Sequence, residues 1–105
     1  DAVLYTHEHA DHTHGIDDLR PLAIHMRRRV PIYADRDTTR LLRERFGYCF
    51  HTPPGSEYPP ILDGHLIEPD RPVRIDGPGG PIVADPFPMI HGGITALGFR
   101  FERLA

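Results

Sequence analysis

The segment Thr6-His7-Glu8-His9-Ala10-Asp11-His12 decides the interpretation of this chain, because it places three imidazoles and the carboxylate of Asp11 within six residues. It follows a short apolar run, Ala-Val-Leu-Tyr, which predicts a buried strand. Side chains two residues apart share a face of a strand, so His7 and His9 point to the same side. The chain must then turn, and Asp11 and His12 come from that turn. Nitrogen ligands with a carboxylate suit zinc, and suit manganese or iron as the share of oxygen rises.

The sequence after this segment predicts alternating helices and strands. Residues 2–5 form the first strand, and residues 30–34 read as a second. Between them, Asp17 or Asp18 is expected to cap a helix, with Pro21 in its first turn. The apolar stripe of this helix is predicted to consist of Ile16, Leu19, Leu22, Ala23 and Met26. Its last turn is predicted to contain three basic residues, Arg27, Arg28 and Arg29.

A second helix is expected from a cap at Asp35 or Asp37 to about Phe46, with Gly47 ending it. The order strand, helix, strand, helix predicts an α/β fold with a parallel pair of strands in a covered sheet. Residues 51–60 are rich in proline and predict no regular element. The remainder predicts short strands at residues 66–67, 73–75 and 82–84, an apolar run that ends at His91, and a last strand over residues 95–102.

Length and composition narrow the class of protein. The 105 residues suffice for one small domain, and the net charge of −3 gives no support for bulk electrostatic binding to nucleic acid or to a membrane. The single cysteine, Cys49, excludes an internal disulfide and fits a reducing compartment. The sequence contains no run long enough to span a membrane and no pattern typical of a signal peptide, so we expect a cytoplasmic protein.

The pattern Thr-His-x-His-x-Asp-His resembles the signature of the metallo-β-lactamase-fold hydrolases. The continuation over residues 13–20, Thr-His-Gly-Ile-Asp-Asp-Leu-Arg, resembles a narrower branch. That branch contains the cyclic phosphodiesterases that act on phosphoribosyl 1,2-cyclic phosphate, and it is related to ribonuclease Z. The resemblance implies a metallo-β-lactamase-like αββα sandwich. Because the chain begins directly on the motif strand, residues 1–105 are expected to be one partial domain.

The resemblance also implies the site residues. His7, His9 and His91, which is followed by Gly92-Gly93, would bind a first metal ion. Asp11 and His12 would bind a second, and Asp11 would also act catalytically by orienting the nucleophile. The intact enzyme would then use two divalent ions, zinc or manganese, and a metal-bound hydroxide to cleave a small-molecule phosphodiester, most simply a cyclic phosphate. The family adds a bridging Asp and a last His that this chain lacks, so we expect little activity from the chain alone.

Three alternatives stay open at this stage. A ribonuclease Z-like endonuclease and a thioesterase share the implied fold, although nucleic acid is the less favoured partner because of the negative charge. A non-catalytic metal-binding fragment is the alternative from another class.

An uncovered sheet face that exposes Val3, Leu97 and Phe99 is expected to make the chain associate, and a homodimer is one such assembly.

Two further residues have competing interpretations. Arg20, together with Asp17 or Asp18, either steadies a metal ligand or a phosphate or forms an exposed ion pair beside a helix cap. Cys49 has no base near it in the sequence and is predicted to be a small buried apolar residue.

Overall fold

A computed structural model of the protein describes residues 2–104. The first of its two sheets is parallel. The strands are β1 (Val3–Leu4), β2 (Val30–Ala34) and β3 (Leu62–Leu66), in that order across the sheet. β1 and β3 both pair with β2 in parallel. The predicted parallel pair and the α/β class are therefore confirmed, although β1 is shorter than the expected strand over residues 2–5.

The second sheet is antiparallel and consists of β4 (Val73–Ile75), β5 (Ile82–His91) and β6 (Ile94–Arg103), with β5 in the middle. β5 and β6 pair along their full length, from Ile82 opposite Arg103 to His91 opposite Ile94. The backbone N–H of Leu97 in β6 donates a hydrogen bond of 2.8 Å to the carbonyl oxygen of Thr6. This bond joins the second sheet to residues 6–12, the motif segment, which follows β1.

Helices cover one face of the parallel sheet. They are α1 (Ala10–Thr13), a 3-10 turn (Ile16–Leu19), α2 (Arg20–Met26) and α3 (Arg36–Phe50). Alternate residues of β2 are buried, because every second side chain of a strand faces the same side. They pack in one core cluster with residues from the helices and the neighbouring strands, which include Val30, Ile32, Ala34, Ile16, Ala23, Leu42, Cys49, Phe50 and Leu62.

The first helix differs in phase from the prediction. The chain enters α2 through the 3-10 turn, which has no side-chain cap from Asp17 or Asp18. A 3-10 turn rotates by a third of a circle per residue, so it shifts which residues face the sheet. Leu22 is consequently 44% exposed instead of lying on the apolar stripe. The helix also ends at Met26, because Arg27 adopts a left-handed φ of 55°, so the three arginines follow the helix and do not form its last turn.

α3 extends four residues past its predicted end at Phe46, so Gly47 does not stop it. Phe46 has non-helical dihedral angles (φ −131°, ψ 37°), which kink the helix without ending it. The extra turn places Cys49 and Phe50 in the core, and their burial compensates for the kink. The predicted strand over residues 66–67 is likewise displaced. β3 begins four residues earlier, because the buried residue Leu62 pairs beside Val30.

Two prolines lie inside β5, where the sequence predicted an interruption. Pro86 pairs opposite Phe99, and Pro88 opposite Leu97. β4 pairs with β5 only over Ile82–Ala84, so both prolines lie where β5 has β6 on one side and no β4 on the other. A proline without an N–H is tolerated at such an edge. The residues on either side therefore form one continuous strand that ends at His91.

The predicted exposure of apolar residues is wrong for Leu97, which is 3% exposed, while Val3 and Phe99 are half-buried. Gly98 allows β6 to pass beneath the side chains of Phe87 and Met89, since a Cβ there would lie 2.5 Å from the Phe87 ring. The large apolar residues of β5 and β6 that are exposed are Ile82, Phe87, Met89, Ile90 and Phe101. Within residues 2–104, no helix combines the length and the hydropathy needed to cross a membrane.

The cap of α3 gives a first testable prediction. The carboxylate of Asp35 accepts a hydrogen bond of 2.9 Å from the N–H of Thr38, whereas Asp37 lies in the first turn. We expect Asp35→Ala to lower the free energy of unfolding by about 1 kcal/mol, because an N–H at the helix start loses its acceptor. Asp37→Ala, which removes only a favourable charge near the helix dipole, is the control and should cost less. Urea denaturation measures both, and equal losses would contradict the assignment of the cap.

Candidate metal centre

The motif segment places two imidazoles on one side of the chain. β1 ends at Leu4, the chain bends at Thr6, and α1 begins at Ala10. The ring centres of His7 and His9 lie 4.7 Å apart, which agrees with the two-residue spacing that predicted a shared face. His7 is buried and His9 is half-buried, so the pair lies at the edge of the core.

His91 reaches the same place from the other sheet. It is the last residue of β5, and the two-residue turn Gly92-Gly93 leads into β6. The ring of His91 lies 4.7 Å from that of His7 and 5.1 Å from that of His9. One ligand atom from each of these three histidines lies within 4.8 Å of the others. The structure therefore brings together the three residues predicted to bind the first ion, while their role as ligands stays a prediction.

The two nitrogens of His7 have different environments. Its Nδ1 lies 2.7 Å from the hydroxyl oxygen of Thr6. Its Nε2 is buried and, among the side chains of residues 2–104, is the one buried nitrogen or oxygen atom without a hydrogen-bond partner. A buried polar atom left unpaired costs about 1–3 kcal/mol. A neutral ring that donates from Nδ1 to Thr6 leaves Nε2 with a free lone pair, which fits the coordination of a metal ion.

The electrostatic surroundings of His7 also favour its neutral form. The pKa of His7 is lowered, first because burial penalises the charged ring, and then because His12, His9 and His91 lie nearby; the carboxylate of Asp11 opposes these effects. Metal ions bind imidazole only in its neutral form. The surroundings of His7 therefore keep it in the form that a metal requires.

Asp11 and His12 lie in α1, next to this cluster. The ring of His12 is 4.1 Å from that of His7, and its Nε2 lies 3.7 Å from a carboxylate oxygen of Asp11. Both residues are exposed, in contrast to His7. Neither joins the group of three close ligand atoms. Their assignment to a second ion, and the catalytic role of Asp11, stay predictions.

The remaining polar candidates lie outside the cluster. Arg20 donates a hydrogen bond of 3.0 Å to Asp17 on the surface, as the ion-pair interpretation predicted. Cys49 is buried, and burial raises the pKa of its thiol, so it is an unreactive core residue as predicted.

Sequence reasoning missed the residues that hold the motif in place. The hydroxyl of Thr13, which is buried, lies 3.2 Å from the carbonyl oxygen of Glu8 and 3.1 Å from that of His9. Arg45 of α3 also donates to the carbonyl oxygen of Glu8, at 3.0 Å. The position of Thr13 four residues after His9 was a usable signal, because a hydroxyl there can reach back to the preceding turn. Arg45 is distant in sequence and left no such signal.

The turn after His91 gives a second prediction. Gly92 has a φ of +60°, a backbone conformation that residues with a side chain rarely adopt. Gly93 does not have a positive φ. We expect Gly92→Ala to lower the free energy of unfolding by about 1–2 kcal/mol and to weaken metal binding by displacing His91. Gly93→Ala is a matched control, because a Cβ at either position meets no atom of the described residues within 4 Å. Thermal unfolding and zinc titration measure both effects. Equal losses in the two variants would contradict the role of the turn conformation.

The lowered pKa of His7 gives a third prediction. The unfolded chain, in which a histidine has a pKa of about 6.5, binds more protons than the folded protein. The metal-free protein should therefore lose stability as the pH falls below about 6.5. His7→Gln should reduce this dependence, whereas His25→Gln, at an exposed position on α2, should keep it. Urea unfolding in the presence of a chelator measures the slope, and the same slope in His7→Gln and in the wild type would contradict the prediction.

Comparisons with known proteins place the chain in a family. All of it, residues 1–105, matches the model of the beta-lactamase superfamily domain. It is 35% identical over 107 residues to a protein of Porphyromonas gingivalis (strain ATCC BAA-308 / W83) that is named octanoyltransferase, and this match covers 100% of the chain and 20% of that protein. The chain thus spans a fifth of the length of this relative.

A solved structure supports the same assignment for the fold. The chain superposes on the metallo-beta-lactamase fold protein YhfI from Bacillus subtilis with a TM-score of 0.67. The sequence identity is 24%, and the match covers 97% of this chain and 36% of that one. Its mixed α/β architecture with two sheets is thus part of the metallo-beta-lactamase fold. Because the family model matches the chain over its whole length, the chain belongs to the beta-lactamase superfamily.

Proposed function

We propose that the chain carries the metal-binding part of the active site of a metal-dependent hydrolase that cleaves a small cyclic phosphodiester. The observation that carries the proposal is the buried and unpaired Nε2 of His7, in a group of three imidazoles from both sheets. Three imidazoles that leave coordination positions open are typical of a catalytic rather than a structural zinc site. The superfamily, to which the chain belongs, supports hydrolysis as the class of reaction.

Each residue of the chain has a specific part in this proposal. His7, His9 and His91 would hold the first divalent ion, zinc or manganese, which when bound supplies a Lewis acid and lowers the pKa of water. The hydroxyl of Thr6 lies 2.7 Å from Nδ1 of His7, and by accepting a hydrogen bond from a protonated Nδ1 it would leave Nε2 free for the ion. Asp11, exposed at the end of α1 nearest the motif, would orient the nucleophile.

We propose a phosphodiester as the substrate of this hydrolase. Its support is the sequence of residues 13–20, which resembles the phosphoribosyl cyclic phosphate phosphodiesterases. In the structure these residues form the end of α1, the 3-10 turn and the first residue of α2, directly after the motif. A second ion at Asp11 and His12 would complete a two-metal site, which suits in-line displacement at phosphorus.

An acyl-transfer activity is the second candidate, and its support is the name of the Porphyromonas gingivalis relative. The match covers one fifth of that protein, so its name describes a chain of which most lies outside the match. Covalent acyl transfer needs an activated nucleophile. Cys49 is buried with a raised pKa, and the sequence contains no lysine, because all 12 of its basic residues are arginine. Neither group supplies a covalent nucleophile in this segment, and the resemblance of residues 13–20 leads us to favour the phosphodiesterase. A thioesterase that used the same metal-bound water would need no such nucleophile, so an activity assay is what separates it from the phosphodiesterase.

The proposal predicts metal binding that depends on the three histidines. Elemental analysis of the purified protein should find zinc or manganese bound, and single alanine substitutions of His7, His9 or His91 should abolish it, since each removes a ligand. His65→Ala, at an exposed strand position, should retain the metal. Retention of metal in all three variants would refute the site.

Activity separates the candidate substrates. The longest natural chain that carries this segment should be assayed with a phosphoribosyl cyclic phosphate, a 2′,3′-cyclic nucleotide, a precursor tRNA and an acyl thioester. Turnover confined to the small cyclic phosphodiesters is the expected result. Turnover of the tRNA or of the thioester alone would favour the endonuclease or the acyl-transfer alternative, and metal binding without turnover would favour a non-catalytic role.

A further inference from the structure

We propose that Glu8, held in place by Arg45, is a positioning residue that orients His9 toward the metal ion. This inference rests on the proposed function, because it assigns a role at the same site. Glu8 lies between His7 and His9 in the motif and is not one of its predicted metal ligands. Its side chain lies between an arginine of α3 and one of the three clustered histidines.

The contacts of Glu8 form a chain of three residues. Oε1 of Glu8 lies 3.7 Å from Nε2 of His9, within ion-pair range and longer than a hydrogen bond. Oε2 lies 3.5 Å from Nη1 of Arg45, and the same Nη1 donates to the Glu8 carbonyl oxygen at 3.0 Å. Arg45 therefore fixes both the backbone and the side chain of Glu8.

The chemistry of imidazole gives this arrangement a consequence. A histidine that binds a metal through one nitrogen usually donates the N–H of the other to a carboxylate or carbonyl, which fixes the ring and its tautomer. The Nε2 of His9 faces the carboxylate of Glu8, so its Nδ1 is left for the ion. His7 shows the complementary arrangement, in which Thr6 occupies Nδ1 and Nε2 is free.

The exposure of Glu8 argues against an ordinary surface ion pair. The side chains of Glu8 and Arg45 are 21% and 40% exposed, whereas those of Glu44 and Arg40, which form an ion pair on the same helix as Arg45, are 61% and 60% exposed. Exposed pairs contribute little, because solvent screens them and two long side chains must be immobilised. The pair of Glu8 and Arg45 spans 37 residues of sequence and is better shielded, so its geometry is set by the fold.

Arg45 also borders an open cavity of about 610 Å³, together with Glu8, His9, His14 and Phe46. A direct contact between Arg45 and an anionic substrate is therefore the competing explanation of its position. The two explanations differ in one measurable quantity. A positioning role changes the affinity for the metal in the absence of substrate, whereas a substrate contact does not.

The test compares Glu8→Gln, Arg45→Met and the double variant with two controls. Glu44→Gln and Arg40→Met make the same substitutions in the exposed pair of α3. Zinc affinity is measured by competition with a chromophoric chelator, and the ligand field by the visible spectrum of the cobalt-loaded protein. Circular dichroism of the metal-free variants checks the fold. Gln is nearly isosteric with Glu, so Glu8→Gln is decisive even where Arg45→Met does not fold.

We expect Glu8→Gln and Arg45→Met to bind zinc about 10–100-fold more weakly, with a changed cobalt spectrum. The controls should stay within about twofold of the wild type. Arg45→Met should cost less in the Glu8→Gln background than alone, because residues that act through one another are not additive. Unchanged zinc affinity and an unchanged cobalt spectrum in a folded Glu8→Gln would overturn the inference and leave the proposed function standing. A wild-type protein that does not bind zinc or cobalt would overturn both.

Discussion

The arrangement of the site depends on the hydrogen bond from the N–H of Leu97 to the carbonyl oxygen of Thr6. Thr6 precedes the first histidine of the motif, and Leu97 lies in the strand that pairs with β5. This bond holds the antiparallel sheet against the end of the parallel sheet. Because β5 and β6 pair along their full length, fixing Leu97 also fixes the end of β5, where His91 lies. The position of the third imidazole is thus a consequence of how the two sheets meet.

Gathering these side chains opposes folding in the absence of a metal. The buried Nε2 of His7 lacks a partner, and the lowered pKa of the ring adds a proton-linked cost in acid. The folded protein tolerates such a cost only where the surrounding structure supplies enough favourable contacts to offset it. Here they come from the core beneath the motif, in which Tyr5 and Ile16 are buried on either side of the histidines in sequence. A ligand that binds the folded state alone offsets the cost by a free energy that grows with the logarithm of its concentration.

Much of this arrangement could be predicted from local sequence. The spacing of His7 and His9 indicated a shared face, the strand at residues 30–34 was located correctly, and the resemblance to the family suggested His91. Local patterns failed where tertiary contacts decide. Leu22 faces solvent because the 3-10 turn changes which residues of the helix face the sheet. α3 continues past Gly47 because another turn of helix buries Phe50 in the core. The contact of Arg45 with Glu8 depends on the packing of α3 and is invisible to any local pattern.

The division of the ligands between two sheets links metal binding to the docking of those sheets. His7 and His9 belong to the segment after β1, and His91 belongs to the hairpin of the other sheet. An ion held by all three binds only the arrangement in which the sheets are joined. Any contact that stabilises this arrangement, such as the bond between Leu97 and Thr6, therefore raises the affinity for the ion. By the reciprocity of linked equilibria, the bound ion stabilises that contact by the same free energy. An ion bound by these three histidines would thus tie the two sheets together as well as serve as a candidate site of chemistry.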